Sequence, residues 1–446
     1  MAEPPTNPFD NAPAMPSLPE VHRTVSIPTG ASFWRKLWAF SGPGFVVAVG
    51  YMDPGNWATD LAGGSRFAYR LLFVLMLSNL MAVLLQTLAA RLGIVTERDL
   101  AQACHDYYSR RARLALWVLC EIAIAACDLA EVIGSAIALN LLLGLPLIWG
   151  VLVISLDVLA ILYLQRHGFR FLEAIVVALI GTIGTCYLLE IILVKPDLAA
   201  IGRGFIPTPE LFTNREMLYI AIGMLGATVM PHNLYLHSSV VLTRAIVRTR
   251  EGLRTAIRYN FLDSLIALNF AFLINAAILV MAAASFHRHG MTQVAEIQDA
   301  YHTLSPLLGI PFASVLFAVA LLCSGQNSTL TGTLAGQIVM EGFLNIQLTP
   351  WLRRLITRGV AIVPAIITVA IYGSSGMAKL LIFSQVILSL QLSFAVFPLV
   401  QFTSDPAKMG EFANPRWVKA LAWLVAGIIA ILNAYLLFQT FLGWVT

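Results

Sequence analysis

Long apolar runs separated by short polar or turn-rich segments dominate the chain. Eleven of them, at about 40–64, 71–95, 114–140, 147–164, 172–194, 218–242, 261–284, 311–343, 358–373, 378–402 and 417–442, come near or exceed the roughly 20 residues that a helix needs to cross a hydrocarbon core about 30 Å thick. The runs are continuously apolar. Strands of a membrane barrel would be about 10 residues long with every second position polar, which does not fit. The pattern predicts an all-α polytopic membrane protein.

Two spans are interrupted near their middles by residues a continuous helix avoids. The first holds Asp53-Pro54-Gly55-Asn56; the sixth holds Gly226-Ala227-Thr228-Val229-Met230-Pro231-His232-Asn233. Five spans separate them in the count, as two inverted five-helix repeats with an eleventh helix appended require. Proline lacks the amide donor and clashes with the preceding turn, so carbonyls just before Pro54 and Pro231 lose their intrahelical partners. A single proline in a membrane helix is usually only a kink. Asp53 beside one changes the balance, because a carboxylate at bilayer depth is costly and by default functional.

Composition agrees, with 58% hydrophobic and 12% charged residues over 446. Residues 1–36 read as a separate segment: seven prolines break any helix there and predict a disordered cytoplasmic tail ahead of a transport domain at 37–446. No cleavable signal peptide is recognisable. Of the 28 Lys and Arg, an orientation with the N-terminus inside leaves only Arg66, Arg70, Lys195, Arg203, Arg215, Arg288 and Lys379 outside. The net charge of +4 is therefore a topology signal, dispersed over membrane-proximal loops, and does not point to nucleic acid. Localisation follows as multi-pass in the plasma membrane, the inner membrane if bacterial. The five cysteines lack CxxC spacing and read as small core residues.

At the interrupted spans Asp53 offers a hard anionic oxygen, Asn56 an amide oxygen, and the freed carbonyls near Gly50 and Ala227 neutral oxygens. Met230 adds a thioether, which Mg²⁺ and Ca²⁺ do not seek but Mn²⁺, Fe²⁺, Co²⁺ and Cd²⁺ accept. With Asp53-Pro54-Gly55-Asn56 in span 1, Met230-Pro231-His232-Asn233 through Leu234-Tyr235-Leu236-His237-Ser238 in span 6, and Gly325-Gln326, Ser328-Thr329, Thr331-Gly332-Thr333 and Ala335-Gly336-Gln337 in span 8, the sequence resembles the Nramp metal transporters, also called MntH. The resemblance covers nearly the whole chain after the tail. It implies a LeuT-like fold and a metal held by Asp53, Asn56, Met230 and the Ala227 carbonyl, with Gln385 and the Gly50 carbonyl joining in some conformations. The divalent metal is the substrate, and no cofactor is implied. Asn327 stands where the family carries serine and Ser393 where it carries proline; neither is a ligand position, so both bear on helix geometry. Asn327-Ser328-Thr329 also spells a glycosylation sequon, which its membrane depth rules against.

Span 3 carries Glu121, Asp128 and Glu131, spaced so that all three fall within roughly 80° of one helix face. Acids on an apolar helix mark a polar cavity or a proton relay, although Glu121 with Arg353 could equally be a structural ion pair. The resemblance extends the relay through His232, His237 and Arg244 of span 6 and Arg353 or Arg354 of span 9. The two histidines sit about 140° apart on the helix, unlike a zinc pair. Asn79, Gln86, Asp157, Glu190, Asn269, Asn275 and Asn433 read by default as interhelical hydrogen bonders.

The expected function is import of Mn²⁺, Fe²⁺ and similar ions coupled to protons by alternating access. A sodium-coupled organic-solute symporter of the same fold is the alternative, and Met230 beside Pro231 speaks against it. A channel would need a continuous pore with rings of ligands. An enzyme is not expected, because no nucleophile, base and orienting group form a set.

Overall fold

The computed structural model describes residues 16–28, 30–156, 167–292, 294, 296–310, 312–345, 350–372 and 377–445. Among these residues the chain is helical almost throughout. After α1 (Phe33–Phe40), the first span is split into α2 (Pro43–Ala48), continued by a 3-10 turn over Val49–Met52, and α3 (Pro54–Phe67). Next come α4 (Leu72–Thr96), α5 (Leu100–Tyr107), α6 (Arg110–Leu143), α7 (Leu147–Ser155) and α8 (Phe169–Val194). The sixth span is split into α9 (Arg215–Thr228) and α10 (Pro231–Val240). The chain continues through α11 (Arg250–Ser285), α12 (Ile297–Leu308), α13 (Ala313–Leu344), α14 (Pro350–Tyr372), α15 (Met377–Thr403) and α16 (Arg416–Val445).

Eight of these units are long and apolar enough to cross a membrane: α4, α6, α8, α9 with α10, α11, α13, α15 and α16. The other three expected spans correspond to the broken α2–α3, to α7, and to α14. Residues 157–164 of the fourth span, Asp157 among them, lie outside the described residues. Helix ends overshoot the apolar runs. α11, for example, starts eleven residues before its run, where Arg250, Arg254 and Arg258 extend a helix out of the apolar layer.

The prolines open second half-helices rather than kinking continuous ones. Pro54 is the first residue of α3, and Asp53, in extended conformation, caps it by accepting from the Asn56 amide. Pro231 opens α10 in the same way after Val229 and Met230 leave the helical region. The two broken spans lie at the centre: 94% of the apolar window across α9 and α10 is buried, against 33% in α8 and in α16. α3 packs on α9 and α11, α9 on α15, α10 on α4 and α13, and α6 runs between α13 and α15. At the far end from the tail, Arg66 pairs with Glu216 and Arg70 with Glu210, tying α3 and the turn after it to α9 and the segment before it.

Of the tail expected to be disordered over 1–36, residues 1–15 and 29 lie outside the described residues, and residues 16–28 are packed. Residues 16–28 lie against the helix ends: Ser17 Oγ donates to Asp99 Oδ2 (2.5 Å), Leu18 N to Glu341 Oε2 (3.1 Å), and Gln337 Nε2 to Glu20 (3.1 Å). Val25 forms a bridge alongside Arg244, and Leu18 is 2% exposed, beside Phe169, Leu172 and Leu334. Prolines forbid helix but not extended packing, and the fixed helix ends offer the polar partners. Helix α1 also begins before the expected domain boundary at 36/37. The cysteines are unpaired, four buried and Cys323 half-buried.

Leu18→Ala, which empties that buried position, is expected to lower stability by about 2–4 kcal/mol, read as a drop in melting temperature in detergent. Ser26→Ala, on the exposed part of the same segment, should leave it unchanged.

Candidate metal site

Breaking a helix inside the bundle frees carbonyls, and side chains take up two of those in the first break outright. Asn275 Nδ2 on α11 donates to Tyr51 O (2.6 Å), while Trp57 Nε1 (3.2 Å) and Ser324 Oγ on α13 donate to Met52 O. Two others converge on one nitrogen. Asn56 Nδ2 lies 3.3 Å from Gly50 O, 3.1 Å from Ala227 O and 2.7 Å from Asp53 Oδ1. An amide NH₂ has two hydrogens, so three acceptors face a group that can fully satisfy two.

Asp53 is fully buried. Its Oδ1 also accepts from Asn56 N (2.8 Å), but its Oδ2 has no hydrogen-bond partner. Met230, equally buried, sets its sulfur against Gly50, where an added Cβ would stand 3.2 Å from Sδ. From α15 the Gln385 amide abuts Gly55 so closely that a Cβ there would collide with it; its Oε1 is buried without a partner. Gly50, Asp53, Asn56, Ala227, Met230 and Gln385 are thus all at the two breaks. They offer one carboxylate, two amides, two carbonyls and a thioether. Among the described residues no three of His, Cys, Asp and Glu cluster as metal ligands, so the donors are oxygen-rich with one soft atom.

The acids of α6 lie next door. Glu121, half-buried, accepts from Trp117 Nε1 (3.0 Å) and shares with Asp128 the lining of a cavity of about 340 Å³ that also meets Met340 and Ile356. Asp128 and Glu131 are buried and face the same spot on α13: a Cβ on Gly332 would stand 3.1 Å from an oxygen of each. Cys127 connects the two regions, since its Sγ is 3.6 Å from Glu131 Oε1 and it packs in one cluster with Met230. The side chains of Arg353 and Arg354 lie outside the described residues.

Comparison with known proteins settles the family. The family model described as natural resistance-associated macrophage protein-like matches residues 44–439. This chain belongs to the Nramp family. It is similar to a divalent metal cation transporter MntH of Nostoc sp. PCC 7120, 61% identical over 429 residues, 96% of this chain and 97% of that one. A namesake from Bradyrhizobium diazoefficiens is 61% identical over 433 residues, 97% of this chain and 96% of the relative. The crystal structure of the Eremococcus coleocola manganese transporter, bound to an aromatic bis-isothiourea compound, superposes with TM-score 0.88 at 43% identity, over 94% of this chain and 90% of that one. Mhp1, a nucleobase-cation-symport-1 family transporter, shares the fold alone, at TM-score 0.62 and 13% identity over 95% and 93% of the two chains. The Nramp chain thus has the LeuT-like fold of two inverted repeats plus one helix.

Not every residue expected in a relay reaches the α6 acids. In this Nramp chain His237 bonds Gln86 Oε1 (3.0 Å) and lies 3.5 Å from Ser264 Oγ, while Gln86 donates to the Tyr51 hydroxyl (2.8 Å). His232 is buried with Nδ1 unbonded. Arg244 is fully buried and held elsewhere: Nη1 donates to Glu173 Oε1 (2.6 Å) and Thr243 Oγ1 (2.8 Å), Nη2 to Ser41 O (2.6 Å). As placed here, Arg244 makes a structural ion pair with Glu173 rather than a contact in the expected relay. Arg170 reinforces it by donating to Trp38 O, Ala39 O, Ser41 O and Glu173. On the other side, Asp263 of α11 accepts from Gly42 N and Gly44 N. Together they clamp the α1–α2 junction.

Sequence reading missed Glu173 and Asp263. The available signals were an Arg170/Glu173 pair one turn apart at a helix start, and a lone Asp in an otherwise apolar run. It also expected Glu190 to bond across helices as Asn79, Asn275 and Asn433 do, yet both Glu190 oxygens are buried without partners. Glu173→Ala strips a buried guanidinium of its nearest counter-charge and is expected to cost about 3–5 kcal/mol. Thermal unfolding of Glu173→Ala against the double variant with Arg244→Leu checks this: the double variant should recover part of the loss.

Proposed function

We propose that this Nramp protein imports divalent transition-metal ions, Mn²⁺ and Fe²⁺ among them, with protons, by alternating access. The observation that carries the reading is the convergence of Asp53 Oδ1, Gly50 O and Ala227 O on one point, with Met230 Sδ against the same turn. Carbonyls at half-helix C-terminal ends carry partial negative charge, and with one carboxylate they favour a small cation over an anion. Turning the Asn56 amide over would replace its NH₂ with Oδ1 and complete an oxygen cluster, with Gln385 positioned to add another. The thioether supports a transition metal over Mg²⁺ or Ca²⁺, and an organic-solute symporter has no use for it. The relatives named for divalent metal and manganese transport support the same cargo.

Asp128 and Glu131, with Glu121 toward the cavity, are the proposed proton carriers. Cys127 stands between Glu131 and Met230, so a dication at Asp53 would act on these acids electrostatically without sharing a ligand. The bias of Lys and Arg toward one side supports a cytoplasmic N-terminus and a plasma or inner-membrane location. That orientation puts the α1–α2 clamp at the cytoplasmic end, where release of α2 would open the inner route.

The direct test is Mn²⁺ uptake into proteoliposomes. Asp53→Ala should abolish saturable uptake with the melting temperature retained; normal uptake would refute the site. Met230→Ala should weaken Cd²⁺ binding about tenfold and let Ca²⁺ compete better, because only oxygen donors remain. Unchanged Cd²⁺ and Ca²⁺ competition would assign Met230 to packing. Asp128→Asn and Glu131→Gln should keep calorimetric metal binding while losing metal-evoked acidification of the liposome lumen. Parallel loss of both would place the acids in the metal site or in folding.

A further inference from the structure

Asn233, on the first turn of α10, has no role in the site described so far. It is 0% exposed, and both its Nδ2 and Oδ1 lack any hydrogen-bond partner. The other asparagines at the centre of the bundle are engaged: Asn56 with three acceptors, Asn275 with Tyr51 O, Asn433 with Ser389 O. A buried amide with every donor and acceptor idle is costly, and native structures keep such groups where something binds them.

Its position says what that is. Asn233 follows Met230 by three residues at the start of α10, and the two side chains meet at one neighbour, Gly50. A Cβ on Gly50 would stand 3.2 Å from Met230 Sδ, 3.2 Å from Asn233 Cγ, and in collision with Asn233 Nδ2. The thioether and the amide therefore flank one point, on the Gly50 turn whose carbonyl faces Asn56. Mn²⁺ and similar ions in oxygen-rich sites take about six ligands, and a neutral amide oxygen beside the thioether suits them. Reorienting Asn233 toward a cation breaks no hydrogen bond, whereas turning Asn56 gives up three contacts.

We propose that Asn233 is a further ligand of the transported divalent metal, giving its Oδ1 to the coordination shell beside Met230. The assignment rests on the metal-import reading above. In the N-inside orientation it lies one turn toward the cytoplasm from Met230, so it holds the cargo on its way inward.

The test is calorimetric titration of the purified full-length protein with Mn²⁺ and with Cd²⁺, for wild type, Asn233→Leu, Asn233→Asp and Asp53→Ala, with metal-free melting temperatures for each. Asn233→Leu, similar in size but without donor oxygen, is expected to weaken Mn²⁺ binding about tenfold. It should weaken Cd²⁺ less, since Cd²⁺ leans on the sulfur, and should not lower the metal-free melting temperature, since no hydrogen bond is lost. Asn233→Asp should bind Mn²⁺ more tightly than wild type. Unchanged Mn²⁺ affinity in Asn233→Leu overturns the proposal, as does a loss equal for both metals and accompanied by a fall in melting temperature. If Asp53→Ala binds like wild type, the metal site itself is misplaced, which overturns the underlying reading and not only the role of Asn233.

Discussion

A helix interrupted inside a lipid-embedded bundle exposes carbonyls that no solvent can satisfy, and much of this protein is arranged around meeting that demand at two levels of one interior. Trp57, Asn275 and Ser324 take the carbonyls of Tyr51 and Met52 outright. Gly50 O and Ala227 O are left to share Asn56 with a carboxylate. The incomplete satisfaction is local. It falls where the half-helix ends, the Asp53 carboxylate and the thioether come together, and in the proposed function that deficit of donors is what a cation would meet.

The surroundings keep that deficit from collapsing. α3 and the turn after it are tied to α9 and the segment before it by Arg66–Glu216 and Arg70–Glu210. The start of α2 is held at Ser41–Gly44 by Arg170 and Arg244 on its carbonyls and by Asp263 on its amides. Glu173 stands between the two arginines, and the tail segment 16–28 lies over the same end, with Val25 beside Arg244. The proposed alternating access needs a clamp that holds one state and can be released. Charge pairs with a buried but hydrated-side neighbour serve better than apolar packing, because Arg170 remains 41% exposed and can exchange partners for water.

The spans were legible because lipid imposes a length and a polarity that single residues display. So were the breaks, since Asp-Pro and Met-Pro contradict their apolar context. Of the site, Asp53, Asn56 and Met230 announce themselves by chemistry at those breaks, and Ala227 and Gly50 by the carbonyls a proline frees. Gln385 came only through resemblance, as a lone amide in an apolar run has no local signature. Three-dimensional proximity was invisible elsewhere. Nothing in the sequence pairs Glu173 with Arg244 across 71 residues or sends Arg244 away from the α6 acids. The tail misled because proline reports the absence of helix, while burial of Leu18 depends on a pocket formed by residues about 150 and 316 positions away.

The central claim is a mixed oxygen and sulfur site at the paired breaks, and X-ray absorption at the metal edge of the Cd²⁺-loaded protein tests it most directly. The expected spectrum contains one sulfur scatterer among oxygen neighbours, and the sulfur contribution vanishes in Met230→Ala. A wild-type shell of oxygen and nitrogen alone, or a sulfur signal that survives Met230→Ala, would contradict it.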